Sequence, residues 1–514
     1  MAETADVVET VKQGYAFEGP AIELGALLVD GTPNPAAAVR IPLSMVNRHG
    51  LVAGATGTGK TKTLQLMAEQ LSAAGVAVFA ADIKGDLSGI SQPGQESEKL
   101  LARTTSIGQE WSATGVPTEF YALGGQGTGV PIRATITSFG PVLLSKVLGL
   151  NDVQESSLGL IFHYADKHGL TLLDLKDLRA VIAHLTSDEG KGDLKELGGL
   201  SAATAGVILR SLIGFADQGA DAFFGEPEFD TADLLQQRDD GKGVVSLLEL
   251  PNLQDRPALF STFLMWLLAD LYHDLPEVGD VDKPKLVFFF DEAHLLFADA
   301  SKAFLDSIAQ TVRLIRSKGV GVFFVTQTPK DVPDDILAQL GSRVQHQLRA
   351  HTPNDAKALK ATVSTFPNSS YDLAEVLTQL GIGEAVVTVM NEKGAPTPVA
   401  WTRLRAPQSL MAPATAEQLT ASVQGSAGNA KYTAVVDRES AYEKLAARVQ
   451  AGAEQAEAEA ENAPQPKAAP APRAQKQEKS MVEQVVGSSA FKQFARSAGR
   501  EIIRGLFGAA RRKR

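Results

Sequence analysis

Uninterrupted apolar runs recur along this chain: Leu51 to Ala53, Val76 to Ala81, Val244 to Leu250, Leu286 to Phe290 and Gly321 to Val325. Runs of this kind, without polar alternation, predict strands buried on both faces, as in a parallel sheet. Between them the apolar residues recur every three to four positions. That spacing predicts helices over Thr63 to Leu71, Val142 to Leu148, Leu158 to Asp166, Leu173 to Leu185, Ala203 to Phe215 and Ala258 to Leu275. Strands alternating with helices predict an α/β fold with a doubly wound, mostly parallel sheet. The helices of about 140–240 then form an insertion on that sheet. Ala21 to Leu28 and Val39 to Leu43 predict a short β-rich segment over 1–44, and Ala385 to Met390 a closing strand.

The pattern changes after 405. Residues 406–450 read as a helical extension, with a solvated helix over Glu443 to Glu461. Residues 451–480 are Ala, Glu, Pro, Gln and Lys without large apolar anchors, so they predict a disordered linker. In 481–514, Phe491, Phe494, Ala498, Ile502 and Leu506 recur at helical spacing among Lys492, Arg496, Arg500, Arg504 and Arg511 to Arg514. A basic amphipathic tail of this type suits nucleic acid, an anionic membrane surface or an acidic partner, or it docks back on an acidic body.

Composition narrows the class. The 514 residues are 44% hydrophobic and 21% charged, enough for a large core. Cysteine is absent, which excludes disulfides and thiolate metal sites. Met1 to Asp6 is acidic and polar, unlike a signal peptide. The apolar stretch Ala258 to Ala269 is too short to span a bilayer. A cytoplasmic protein without a transmembrane segment is expected. The net charge of −11 argues against uniform attraction to nucleic acid, while leaving room for a basic lining inside a ring.

The chemistry is concentrated at the strand ends. Gly54-Ala55-Thr56-Gly57-Thr58-Gly59-Lys60-Thr61 is a P-loop between a strand and a helix. Its glycines let backbone N–H groups curl around phosphate, and the helix N-terminus adds positive potential. Lys60 reaches the β and γ phosphates, Thr61 offers a hydroxyl to Mg²⁺, and Thr63 completes the nucleotide-binding set. A second strand ends in Asp291-Glu292. Asp291 suits Mg²⁺, and Glu292 can take a proton from the water attacking the γ-phosphate; its plainer reading is a helix N-cap acid. Gln327 follows a third strand and points toward the same edge, because ligand sites in parallel sheets lie beyond the carboxyl ends of strands. ATP and Mg²⁺ are the expected cofactors. No Asn-Lys-x-Asp guanine motif is present.

Arg48-His49-Gly50, the P-loop, Asp82-Ile83-Lys84-Gly85, Phe290 to His294, and Arg313 to Gly321 running into Thr326-Gln327 together resemble HerA and FtsK-type ATPases. Over about 20–405 the chain is similar to a bacterial HerA-like group of ATP-binding proteins. The resemblance implies a RecA-like P-loop domain over 45–405, a hexameric homo-oligomer, and DNA translocation or helicase activity. It also implies that Arg316, with Arg313 one turn away, serves as an arginine finger in a neighbouring subunit. Arg48 matches a HerA arginine expected near the nucleotide of its own subunit. His49 and His294 read as structural or as supports behind the site residues, not as metal ligands. HerA proper carries a β-barrel ahead of the ATPase where this chain has only short strands. That difference and the acidic body leave a second reading, an ATP-dependent switch or scaffold that does not act on DNA.

Overall fold

The structure, a computed structural model, describes residues 2–190, 192–193, 199–250, 257–297, 300 and 302–462. A single sheet organises them. Its strands are β1 (Ala21–Val29), β2 (Thr32–Pro42), β3 (Gly50–Ala53), β4 (Ala77–Asp82), β5 (Thr118–Leu123), β6 (Val130–Ile132), β7 (Val245–Glu249), β8 (Leu286–Phe290), β9 (Val320–Thr326), β10 (Ser342–Gln345), β11 (Glu384–Thr388) and β12 (Ala400–Leu404). Their spatial order is β2-β1-β12-β11-β10-β3-β9-β8-β4-β7-β5-β6. From β10 to β6 every pairing is parallel, and from β10 to β2 every pairing is antiparallel. The expected doubly wound sheet is present.

The central strands β3, β4, β7, β8 and β9 are buried at every residue. Such strands need cover on both faces, and two cores provide it. One face carries Leu64, Met67 and Leu71 of the helix Lys60–Ala73, with Val11 of the helix Ala2–Gly14 and Tyr15 just after it. The other face carries the helix Pro257–Asp274 and the helices Ile136–Val147, Asp152–Lys167, Leu175–Thr186 and Ala202–Asp217. The Phe223 ring lies 5.8 Å from that of Phe263 and 5.7 Å from that of Trp266, edge-on to both. The helical insertion therefore shares the main core.

The structure refines the expected domain organisation. The β-rich segment 1–44 also contains the helix Ala2–Gly14, and β1 and β2 extend the main sheet through β12 instead of standing apart. The chain between P-loop and Asp291 contains β5 and β6, which lengthen the parallel edge. The helix Ala441–Asn462 coincides with the solvated helix read over Glu443 to Glu461, its Ala and Glu residues being strong helix formers. The remainder of the linker expected over 451–480 and the tail 481–514 lie outside the described residues. Among the described residues no helix is long and apolar enough to cross a membrane.

Candidate active site

The parallel pairing sets the site. β3, β9, β8 and β4 are neighbours, so the loops leaving their carboxyl ends open on one edge. Those loops carry the P-loop, Gln327, Asp291-Glu292 and Lys84.

The P-loop is pinned from both sides. Gly54 N–H donates to Thr326 O (3.1 Å) and Ala55 N–H to Gln347 O (2.8 Å). Gly383 N–H donates to Thr58 O at 3.0 Å. A Cβ on Gly54 would lie 2.4 Å from Cβ of His346, the residue after β10, too close for any side chain there. Gly59 caps the helix Lys60–Ala73 at φ 113°, a left-handed conformation that favours glycine. Lys60 is 8% exposed and its Nζ donates to Ala55 O at 3.2 Å. Burial pushes its pKa down, and Glu292 and Asp291 oppose that shift. Thr61 sits in the first turn of the same helix.

Thr63 faces the P-loop from below. Its hydroxyl lies 3.3 Å from Gly59 O and 2.9 Å from His346 Nε2, so it braces the loop against the end of β10. His346 is fully buried, and burial holds its pKa down at about 3, leaving a neutral ring beneath the loop.

Asp291 and Glu292 leave β8 beside Lys60. Asp291 is 2% exposed, and its Oδ2 has no hydrogen-bond partner among the described residues. Burial, reinforced by Glu292, pushes its pKa up to about 7. A buried carboxylate oxygen without a partner is costly, and a cation relieves that cost. Asp291 with Thr61 therefore fits a divalent ion beside bound phosphates. Glu292 adopts φ 47°, a left-handed conformation that costs a non-glycine residue about 1–3 kcal/mol and is characteristic of functional sites. Lys84 Nζ donates to Glu292 Oε1, and His294 Nδ1 lies 3.3 Å from Glu292 Oε2. Burial works against the Glu292 carboxylate, but Lys84, His294 and Lys60 outweigh it and hold its pKa below the ordinary value.

Gln327 is exposed just past β9. With Ala55, Thr56, Arg349 and His351 it lines a cleft of about 260 Å³ beside the P-loop. Arg349 was not foreseen from sequence; its Nη2 donates to Thr56 O at 3.2 Å. Its only sequence signal is its place after β10, a strand too short and polar to stand out.

Arg48 and Arg316 are not at this edge. Arg48 precedes β3 and Arg316 precedes β9, so both lie at the amino ends of the parallel strands. Arg48 is thereby corrected as a ligand of its own subunit's nucleotide, because the length of β3 separates it from the P-loop. His49 is structural: buried, its Nδ1 accepts from Val322 N–H at 3.0 Å.

Similarity to known proteins agrees with this geometry. The family profile described as Helicase HerA-like C-terminal matches residues 28–514. A DNA double-strand break repair helicase HerA of Sulfurisphaera tokodaii is 24% identical over 355 residues, 68% of this chain and 64% of that protein. The HerA of Saccharolobus solfataricus is 23% identical over 388 residues, 74% of this chain and 68% of that one. The chain thus spans just under two thirds of the Sulfurisphaera protein. Plasmid coupling protein TrwB, solved with a non-hydrolysable ATP analogue, superimposes with a TM-score of 0.50 at 16% identity, covering 79% of this chain and 95% of that chain; the likeness is one of fold. With a P-loop and a paired Asp-Glu on one edge of a RecA-like sheet, and a family match over nearly its whole length, the chain belongs to the helicase HerA-like C-terminal family.

Proposed function

We propose that this protein is a Mg²⁺-dependent ATPase that works as a ring, most naturally a hexamer, and moves DNA. The observation that carries the reading is the convergence of Lys60, Asp291 and Glu292 on one buried sheet edge. ATP phosphates are received by the N–H groups of residues 54–61, and Lys60 neutralises the β and γ phosphates. Asp291 and Thr61 would hold Mg²⁺, which screens the phosphate charge when bound. Glu292 is ionised at neutral pH, so it can accept a proton from water. The water oxygen then bonds to the γ-phosphorus, and the bond from that phosphorus to the ADP oxygen breaks. Gln327 orients the water or senses the γ-phosphate. Arg316 acts on the site of the neighbouring subunit, and its place at the opposite edge of the sheet suits that role.

What supports DNA as the substrate is the similarity to HerA relatives, whose names carry DNA double-strand break repair. The test is ATPase activity of the purified chain at low salt, with and without duplex DNA. Stimulation by DNA, together with a six-fold ring in electron micrographs, supports the motor. ATP turnover that ignores DNA supports the switch or scaffold instead, and absence of turnover sinks both.

A further inference from the structure

Lys84 is used by none of the steps above, yet its ammonium occupies the carboxylate on which hydrolysis depends. The arrangement is built by the fold. β4 and β8 are adjacent and parallel, with Ala81 opposite Phe290, so the loops after them leave side by side. Asp82 locks the first loop: Oδ1 accepts from Gly85 N–H (2.8 Å) and Asp86 N–H (3.3 Å), and Oδ2 accepts from Leu87 N–H (2.8 Å). Gly85, at φ 72°, makes the turn. The lock holds the Lys84 backbone in place while its side chain stays 42% exposed; the Glu292 side chain it meets is 5% exposed. The partners are therefore unequal, one buried and fixed, the other on a flexible four-carbon stem that can re-aim.

Lys84 also shares its field with Lys60. Each of Glu292, Asp291 and Lys84 acts electrostatically on Lys60. The terminal phosphate that Lys60 is placed to meet would thus enter within reach of Lys84. A triphosphate end carries more negative charge than one carboxylate and offers several acceptor oxygens, so it competes well for an ammonium.

We infer that Lys84 is a positioning residue that is paired with Glu292 while the site is empty and transfers to the γ-phosphate when ATP arrives, freeing Glu292 to receive the water proton. Glu292 is then occupied except when a terminal phosphate is present. A diphosphate does not present that phosphate, so Lys84 also discriminates ATP from ADP. The inference rests on the ATPase reading and deepens it.

The experiment is titration of the full chain, in Mg²⁺ buffer, with a non-hydrolysable ATP analogue and separately with ADP. In Lys84→Met, affinity for the triphosphate should fall about tenfold, the scale of one lost charged contact, while ADP affinity stays within about twofold. Lys84→Arg, which keeps the charge, should recover most of the loss. Glu292→Gln removes the competing carboxylate and should tighten the triphosphate. Equal weakening of both nucleotides, or no change in either, overturns the transfer, provided the variants keep the parental melting temperature. If Lys84→Met does not fold, the Glu292→Gln arm decides: unchanged triphosphate affinity there overturns it. A parental chain that binds neither nucleotide would instead overturn the ATPase reading itself.

Discussion

Arg48 and Arg316 share one carboxylate: Asp280 Oδ1 lies 3.4 Å from Arg48 Nη2 and 3.6 Å from Arg316 Nη2. The two arginines come from segments far apart in sequence and meet because β3 and β9 are parallel neighbours. Burial, followed by repulsion from Arg316, pushes the Arg48 guanidinium below its ordinary pKa. Two cations held by one exposed aspartate make a cationic corner at the edge opposite the P-loop, which a neighbouring subunit's nucleotide could neutralise.

This geometry predicts complementation. Lys60→Ala and Arg316→Ala proteins should each be inactive, with Arg316→Ala lowering turnover about 10³–10⁵-fold if it is an arginine finger. Mixed rings should regain some turnover, because an intact Arg316 can then face an intact P-loop. ATPase assays on mixtures with demonstrated subunit exchange check this. No recovery would leave Arg316 as a partner of Asp280 alone, or move the finger to Arg313 or Arg48.

Glu292→Gln should still bind nucleotide, the triphosphate more tightly than the parent does, and lower turnover by about 10²–10⁴, since the amide cannot accept the proton. Lys60→Ala should weaken binding itself. Parallel binding and turnover measurements separate the two effects. Parental turnover in Glu292→Gln would refute its role as base.

His49 gives a stability prediction. Its ring accepts from Val322 N–H, and burial holds its pKa down at about 4 against an ordinary 6.5. Above pH 6.5 both folded and unfolded chains carry it neutral, and its contribution is fully present. As pH falls from 6.5 toward 4, only the unfolded chain takes up the proton, so stability is lost. The loss between pH 7 and pH 5 is about 2 kcal/mol from this residue. His49→Gln keeps an acceptor without the titration. Denaturant unfolding at both pH values should show a pH dependence shallower than the parent's by that amount.

The tail of 481–514 is proposed as a polyanion-binding element. Removing it should lower affinity for DNA or for anionic liposomes and leave basal ATPase activity intact. The lost binding should be the part that falls steeply with salt. Titrations of both anions with the truncated chain check this; unchanged binding to both would refute the role.

Much of the fold was legible because its signals are local. The P-loop spacing, the Asp291-Glu292 pair at the end of a five-residue apolar strand, and the fully buried β4, β7 and β9 are written in consecutive residues. The missed strands lack that signature. β10 is Ser-Arg-Val-Gln, buried because β3 and β11 flank it rather than because it is apolar. β12 carried a weaker sign, since Ala400, Thr402 and Leu404 alternate inward, but the outward Trp401 and the inward Thr402 hide the period.

Residue types and their spacing along the chain thus determined that a phosphate-binding loop, a carboxylate pair and a parallel sheet exist here. Tertiary structure alone decided which of them meet. Strand order placed Lys84 against Glu292 and His346 beneath the P-loop. Strand direction sent Arg48 and Arg316 to the far edge. Neither strand order nor long-range pairing has a local signal; both emerge when distant apolar strands bury one another, and polar side chains at their ends are carried wherever that burial puts them.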